Sequence, residues 1–235
     1  MYNGASEKNI LGGKAMDLEE YKKKAAEQDD WAPGWEAIDA CLEPIYRDQK
    51  PRHFGTHFHA RAIMGGDQYL DGYSVYESPH GHVHIVTYGM SELYTNEESF
   101  GGEWSKWGYE MTIRLPSCGE ADFMWAIDVL SKLARYTYTS KRFLEPMQYI
   151  SGGGNPIKAE SDTKLTGLLV INDPELSGTD TLYGRLDFLQ LVGITQPELD
   201  AVIADPDQAR TLTENMRKDD PFFVTDLGRT KNYIG

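Results

Sequence analysis

Hydrophobic residues in the first part of the chain recur at the three- and four-residue steps of an α-helix. Residues 16–30 combine strong helix formers with early acids and later lysines but few apolar positions, which predicts a peripheral helix. Residues 32–46 predict an amphipathic helix that begins near Pro33 and ends or kinks near Pro44. Its apolar stripe consists of Trp35, Ile38, Leu42 and Ile45.

The hydrophobic period changes to two residues in the middle of the chain. Short segments rich in aromatic and β-branched residues predict antiparallel strands over 53–64, 73–78, 82–89 and 107–115, with a turn over 65–72. Helical period returns over residues 121–138 and predicts a core helix. The apolar face of this helix carries Phe123, Ala126, Ile127, Leu130, Leu133 and Ala134.

The last third of the chain mixes both periods. Residues 150–162 are rich in glycine and predict a flexible loop. We predict strands over 166–173, 182–194 and 222–227, and short helices over 195–204 and 206–218. Thr195 is the expected N-cap of the first helix, with Glu198 at the matching position of a capping box.

This order of elements predicts an α+β fold with a mixed, largely antiparallel sheet and helices packed on one face. The elements do not alternate as in a doubly wound fold, and no internal repeat interrupts them. We expect residues 1–32 to form an N-terminal tail with a peripheral helix, and residues 33–235 to form the main domain.

The chain is strongly acidic. Its 235 residues include 37 Asp and Glu but only 23 Lys and Arg, which gives a formal net charge of −14. Such a surface repels phosphate backbones, so we expect no nucleic-acid partner. It favours a partner with a basic surface.

Neither a membrane segment nor a secretory signal is visible in the sequence. No run of about eighteen apolar residues occurs, so we expect no membrane partner. The N-terminus lacks an apolar signal region, and Met16 is a candidate start beside Met1. The only cysteines, Cys41 and Cys118, form no disulfide framework, which fits a reduced, cytoplasmic protein.

Candidate chemistry is concentrated in the histidines, all six of which lie between positions 53 and 84. Strand alternation puts His82 and His84 on one face, and does the same for His57 and His59 on an earlier segment. If these strands are neighbours, four imidazoles converge, so a metal-binding protein or metal-dependent enzyme is an alternative function. The polar face of an ordinary strand explains the alternation without an ion. No Gly-x-Ser-x-Gly, His-Glu-x-x-His or Walker motif is present, and we assign no catalytic residue and no cofactor.

Several segments together resemble a suppressor-of-fused domain. The resemblance covers about residues 33–230, and its most specific parts are the His-x-His run that continues into Tyr-Gly-Met-Ser-Glu-Leu-Tyr and the later FLQLVGIT segment. The matching segments follow the order expected of that family. They are 33–49, 64–76, 82–94, 107–115, 133–140, 168–176, 187–202 and 222–229.

The resemblance implies a non-enzymatic protein-binding module. Animal members of the family hold zinc-finger transcription factors in the cytoplasm, and they clasp a short peptide as an added strand between this domain and a second one. The chain is more similar to bacterial single-domain members, which are proposed to be immunity proteins of polymorphic toxin systems. We therefore expect a protein that sequesters or neutralises a partner protein. A cognate toxin with a basic surface is the candidate partner, and the oligomeric state stays open.

The resemblance also implies a set of partner-binding residues. Six positions match or nearly match the family pattern: His82, His84, Tyr88, Ser91, Glu92 and Tyr94. Animal members carry Asp at the position of Glu92, which conserves the charge. His57 and His59 have no counterpart there, which weakens the four-histidine metal site. We expect strand addition at an exposed sheet edge, assisted by the side chains from Tyr88 to Tyr94.

Overall fold

The computed structural model describes residues 10–11, 14–55 and 69–234. These residues form five α-helices: α1 (Leu18–Glu27), α2 (Pro33–Tyr46), α3 (Glu120–Ser140), α4 (Gln196–Ala204) and α5 (Gln208–Asp219). They also form ten strands: β1 (Ile10–Leu11), β2 (Lys14–Ala15), β3 (Arg52–Gly55), β4 (Gly72–Glu77), β5 (His82–Tyr88), β6 (Trp104–Pro116), β7 (Tyr149–Ser151), β8 (Leu165–Asn172), β9 (Thr179–Thr181) and β10 (Gly184–Thr195). No helix in these ranges is long and apolar enough to cross a membrane.

One eight-stranded mixed sheet organises the fold. Its strands lie in the order β3-β4-β5-β6-β10-β8-β7, and β9 pairs with β10 outside this path. β10 runs parallel to β6, whereas the other pairs in the sheet are antiparallel. The predicted α+β class with a largely antiparallel mixed sheet is confirmed. β1 and β2 form a separate two-stranded pair.

The predicted core helix is α3, and it covers one face of the sheet. All six residues of its expected apolar face are buried in the largest hydrophobic cluster. They pack against alternate residues of the strands, which include Val83, Ile85, Val170, Leu189 and Leu191. The apolar residues at alternate positions of the strands and those on one face of α3 therefore form one common core.

Three more helices cover the opposite face. Ile38, Leu42 and Tyr46 of α2 are buried with Val86 and Phe188. α4 and α5 bury their apolar residues against β8 and β10 in a third cluster, made of Leu169, Ile171, Val192, Ile194, Leu199, Val202, Ala209, Leu212, Met216 and Phe223 together. Helices thus lie on both faces, not on one as expected. Both faces of β5, β8 and β10 are buried, so polar residues on these strands do not mark a wet face.

Two local predictions in the second half differ from the structure. The predicted loop 150–162 begins with the edge strand β7, which pairs with β8. The predicted strand 222–227 is not a strand: Phe223 has a φ of 54°, which breaks the extended path, and Thr225 makes a backbone bond to Arg114. Of the predicted strand 53–64, β3 covers residues up to Gly55, and 56–64 lie outside the described residues.

The start of α4 follows the predicted capping pattern. Thr195 is the N-cap residue, and its amide donates to Glu198 Oε2 at 2.7 Å. The same carboxylate accepts from Arg229 at 2.8 and 2.9 Å and from the Tyr233 amide at 2.9 Å. One buried glutamate therefore fixes both the helix start and the C-terminal segment.

Candidate partner-binding site

The histidine strand β5 lies in the interior of the sheet. His84 is completely buried, and its Nδ1 lies 2.8 Å from the Tyr46 hydroxyl at the end of α2. Its Nε2 lies 3.3 Å from Asp173 Oδ2. Burial lowers the pKa of His84, so the ring is neutral at pH 7. A neutral ring that accepts from Tyr46 carries its proton on Nε2, facing Asp173.

Asp173 is shared by His84 and the buried guanidinium of Arg114. Arg114 donates to both oxygens of Asp173, at 2.8 and 2.9 Å, and its Nη1 also donates to Gln190 Oε1. The hydroxyl of Thr112 donates to the same carboxylate at 2.7 Å. Burial alone would raise the pKa of Asp173, but the contact with His84 and the hydrogen bonds and charge of Arg114 hold it well below its usual range. This is a buried ion pair that joins β6 to the residue after β8, and within the described residues only Nε of the guanidinium lacks a hydrogen-bond partner.

His82 is also buried, with 1% of its surface exposed. Its ring lies 5.1 Å from that of Phe222, measured between centroids. Neither ring nitrogen has a hydrogen-bond partner among the residues that the structure describes. Burial, with the charge of Arg114 as a smaller cause, lowers the pKa of His82 to about 4. His82 is therefore a neutral packing residue in this arrangement.

The segment after β5 folds around a second buried carboxylate, Glu110 of β6. Glu110 accepts from the amides of Gly89, Met90 and Ser91 at 2.9 to 3.3 Å. It also accepts from the Ser91 hydroxyl at 2.6 Å and the Thr87 hydroxyl at 2.7 Å. Burial raises the pKa of Glu110, and these donors oppose that rise. Glu110 therefore holds the backbone of the Tyr-Gly-Met-Ser run in its turn. The sequence did not reveal this role.

Glycine is required at position 89 of this turn. Gly89 has a φ of 126°, and a Cβ placed there would lie 2.8 Å from the amide nitrogen of Asp71. The Gly89 carbonyl accepts from Tyr138 Oη at 2.6 Å and from Lys106 Nζ at 2.9 Å. The turn is therefore held through its amides, which donate to Glu110, and through the Gly89 carbonyl, which accepts from Tyr138 and Lys106.

Glu92 and Tyr94 lie at the end of this segment and are the more accessible members of the predicted set. Glu92 is half-buried and accepts from Asn96 Nδ2 at 2.9 Å. Tyr94 has 40% of its surface exposed, and its carbonyl accepts from Tyr183 Oη at 2.7 Å. The other four predicted residues are buried. The structure does not bring all six together: His82 lies at the start of β5 beside Phe222, whereas Tyr94 follows the other end of the strand and is the main exposed member.

A groove beside α2 connects to this region through Tyr88. The Tyr88 hydroxyl donates to Asp39 Oδ1 at 2.9 Å, and the Tyr88 ring stacks on Trp35 with centroids 4.3 Å apart. The groove has a volume of about 510 Å³. Sequence reasoning treated Trp35 as part of an apolar stripe and did not identify the groove.

The sheet edge at β7 is a second accessible surface. Ile150 pairs with Leu168, while Gly152 and Gln148 bond to β8 on either side, so the intervening residues Tyr149 and Ser151 direct their backbone groups away from β8. A cavity of about 690 Å³ adjoins this edge and is lined by Tyr136, Phe143 and Tyr149, among others. These three aromatic side chains are 42–56% exposed. The glycines that follow β7 concealed the strand in the sequence.

The four-histidine metal hypothesis finds little support in this geometry. His57 and His59 lie outside the described residues. Within the described ranges, no group of three or more His, Cys, Asp or Glu side chains is arranged to hold a metal ion. His82 and His84 instead serve the interior contacts given above.

Comparison with known proteins agrees with the architecture. The family model for the suppressor of fused protein (SUFU) matches residues 66–230. The human suppressor of fused homolog is 28% identical over 213 residues, covering 83% of this chain. The chain spans 43% of the length of that relative.

Solved structures show the same relationship. A chain of the Sufu–Fu complex matches with a TM-score of 0.73 and 26% identity, covering 86% of this chain and 92% of that chain. Drosophila Suppressor of Fused matches with a TM-score of 0.72 and 26% identity, covering 86% and 51%. A putative homolog from Neisseria gonorrhoeae shares the fold at 14% identity and a TM-score of 0.55, covering 86% and 97%. The chain therefore belongs to the suppressor of fused family.

Proposed function

We propose that the chain is a non-enzymatic protein-binding module that sequesters or neutralises a partner protein in the cytoplasm. Its family membership supports this function, since a similar chain was solved in complex with Fu. The observation that carries the proposal is the β7 edge, where an exposed strand lies beside exposed aromatic side chains. Such an edge is suited to accept a strand from another protein.

The partner binds by adding a strand to β7. Tyr149 and Ser151 supply outward-facing backbone groups, and the aromatic rings beside them bury alternate side chains of the added strand. The segment from Gly89 to Ser91 is less suited to this role, because its amides are directed to Glu110. Its contribution is to position Tyr94 and the α2 groove as a further contact surface.

The predicted site residues then divide into two roles. Tyr94, and to a lesser extent Glu92, contact the partner directly through their accessible surfaces. The buried side chains of His82, His84, Tyr88 and Ser91 hold this surface in place. Tyr88 does so most directly, through its hydrogen bond to Asp39.

The partner we propose is a cognate toxin with a basic surface, as for the bacterial immunity proteins that the chain resembles. The net charge of −14 supports this choice, because an acidic protein associates faster with a basic one. An acidic surface is also suited to bind over a basic active site and cover it. The product of a neighbouring gene is the first protein to test.

Co-purification with that protein tests the proposal. Ser151→Pro removes the outward-facing amide of β7 and should abolish co-purification, because a partner strand loses a hydrogen-bond donor and meets the proline ring. Ser151→Ala is the matched control, since both variants lose the bond from the Gly153 amide to Ser151 Oγ. Retention of the partner by folded Ser151→Pro would contradict strand addition at β7. Failure of the wild-type chain to retain the partner would contradict the toxin assignment.

A further inference from the structure

The groove beside α2 has an acidic rim. Glu36, Asp39 and Glu43 follow one another at three- and four-residue steps, so they lie on one exposed side of the helix. All three line the groove. The groove is therefore a concave surface with three carboxylates on one wall.

In the part of the chain that the structure describes, these carboxylates have no lysine or arginine partner. In the ranges that the structure describes, no lysine or arginine nitrogen lies within 4 Å of Glu36, Asp39 or Glu43. Glu36 accepts from Trp31 Nε1 at 3.2 Å, and Asp39 accepts from Tyr88 Oη at 2.9 Å, so both bonds come from neutral donors.

Two basic side chains line the same groove but do not neutralise it. His53 bonds to Ser74 Oγ at 3.1 Å, and burial lowers its pKa, so the ring is neutral at pH 7. Arg47 adds one positive charge against three negative ones. The described residues that line the groove therefore carry a net charge of about −2 at neutral pH.

Aromatic rings form the floor and the other walls. The ring of Trp35 lies 5.0 Å from that of His53 and 4.3 Å from that of Tyr88. Tyr46 stacks on Tyr76 with centroids 4.4 Å apart, and both are buried residues that line the groove. A cation that enters meets aromatic surface and carboxylate oxygens together, which is the environment that a guanidinium group favours.

We infer that the α2 groove binds an arginine side chain from a basic segment of a partner protein. The inference rests on the proposed function only in taking the occupant to be a protein. The guanidinium stacks on the aromatic wall near Trp35 and donates to Asp39 and Glu43. Charge complementarity selects this occupant, because the rim offers carboxylates that the described chain leaves without a cation.

A model peptide tests the inference without an identified partner. The probe is a fluorescein-labelled hexapeptide of alternating arginine and glycine, titrated with the full chain at about 150 mM salt to screen weak surface attraction. Asp39→Asn and Glu43→Gln should each weaken binding roughly fivefold or more, as expected for loss of a charge-assisted contact. The corresponding lysine peptide should bind more weakly than the arginine peptide, because an ammonium group stacks less well.

Charge-matched controls separate this groove from the general acidity of the chain. Asp200→Asn in α4 and Glu214→Gln in α5 remove one exposed negative charge outside the groove. They should change the affinity less than about twofold, as expected for screened charges. If all four variants weakened peptide binding equally, the inference would be overturned, because the peptide would then be attracted by the overall negative charge of the protein and not by the groove. Absence of wild-type binding would also overturn it.

The outcome is separable from that of the strand-addition test. Ser151→Pro alters the β7 edge and should leave the affinity for the arginine peptide unchanged, because Ser151 does not line the groove. Loss of peptide binding in Asp39→Asn without loss of the β7-dependent partner would assign the two surfaces to different contacts. Loss of peptide binding in Ser151→Pro would count against the groove as the binding site.

Discussion

The Tyr46 hydroxyl lies 2.8 Å from Nδ1 of His84, which connects the last turn of α2 to the interior of the sheet. Through His84 this contact reaches Asp173 and Arg114, so the helix that bears the acidic groove is attached to a buried ion pair. The strand that supplies Arg114, β6, also supplies Glu110, which holds the turn that leads to the accessible side chain of Tyr94. We therefore expect residues in this part of the fold to affect both the stability of the chain and the shape of its binding surface. Single substitutions can test the effect on stability by itself.

Removing the charge of Asp173 should strongly destabilise the fold. Asp173→Asn leaves the Arg114 guanidinium buried without its main counterion, so the free energy of unfolding should fall by about 3–5 kcal/mol. Urea denaturation measures this change. Glu175→Gln is the control, because Glu175 is partly exposed and makes one 3.1 Å contact with Arg114. A fall of equal size in both variants would contradict the central role of Asp173.

Glu110→Gln should loosen the turn after β5. An amide offers one acceptor oxygen and directs an NH₂ group at donors that now point to a carboxylate, so we expect a loss of about 2–4 kcal/mol in unfolding free energy. Hydrogen exchange should accelerate at the amides of Gly89 and Ser91. Glu103→Gln is the control, because Glu103 is exposed, and this variant should leave the exchange rates of both amides unchanged. Unchanged protection in Glu110→Gln would show that the turn does not depend on this carboxylate.

Gly34→Ala tests the contact between α2 and the Tyr88–Tyr94 segment. A Cβ at position 34 would lie 1.8 Å from the Glu92 carbonyl oxygen, and the Gly34 amide donates to the Leu93 carbonyl at 3.0 Å. The variant should lose about 2–4 kcal/mol in unfolding free energy, because helix and segment must separate. In Gly55→Ala no atom of the residues that the structure describes lies within 4 Å of the new methyl group, so this variant should be close to neutral. Thermal unfolding of the two variants gives the comparison.

The stability of the protein should fall as the pH decreases from 6.5 towards about 4. His82 has a pKa of about 4 when folded and 6.5 as a free side chain, so the unfolded chain takes up a proton in this window while the folded chain does not. Burial lowers the pKa of His84 as well, which acts in the same direction. The raised pKa of Glu110 opposes both, because protonation of this buried carboxyl favours the folded state as the pH falls.

A phenylalanine substitution isolates the contribution of His82. His82→Phe keeps the contact with Phe222 and removes the titrating group, so unfolding free energy measured at several pH values should depend less steeply on pH between 6.5 and 4. His80→Phe removes a neighbouring histidine that is only a minor cause of the low pKa of His82, and it should reduce the slope less than His82→Phe does. An unchanged slope in His82→Phe would exclude His82 as a source of the pH dependence.

The sequence predicted much of the fold because its hydrophobic periods are regular. α2, α3 and α4 and the central strands lie close to their predicted positions, since each has a continuous apolar face or alternation. Alternation alone does not reveal whether both faces of a strand are buried. His82 and His84 were therefore expected at a polar surface, although partners from distant elements enclose them.

The site was less predictable because its contacts join residues far apart in sequence. Arg114 and Asp173 are separated by 59 positions, and nothing in the segment around either residue identifies the other as its partner. Glu110 was one acid among many until its five hydrogen bonds became visible. β7 has only three residues, too few to show the alternation of a strand in the sequence. It is recognised as a strand by its pairing with β8.

Backbone hydrogen exchange at Tyr149 and Ser151 tests the central claim most directly. These amides face away from β8, so they should exchange rapidly in the isolated chain. Binding of the partner should protect both amides, because an added strand accepts their hydrogen bonds. The amide of Ile150, which faces β8, should change little. Rapid exchange at Tyr149 and Ser151 in a saturated complex would contradict strand addition at this edge.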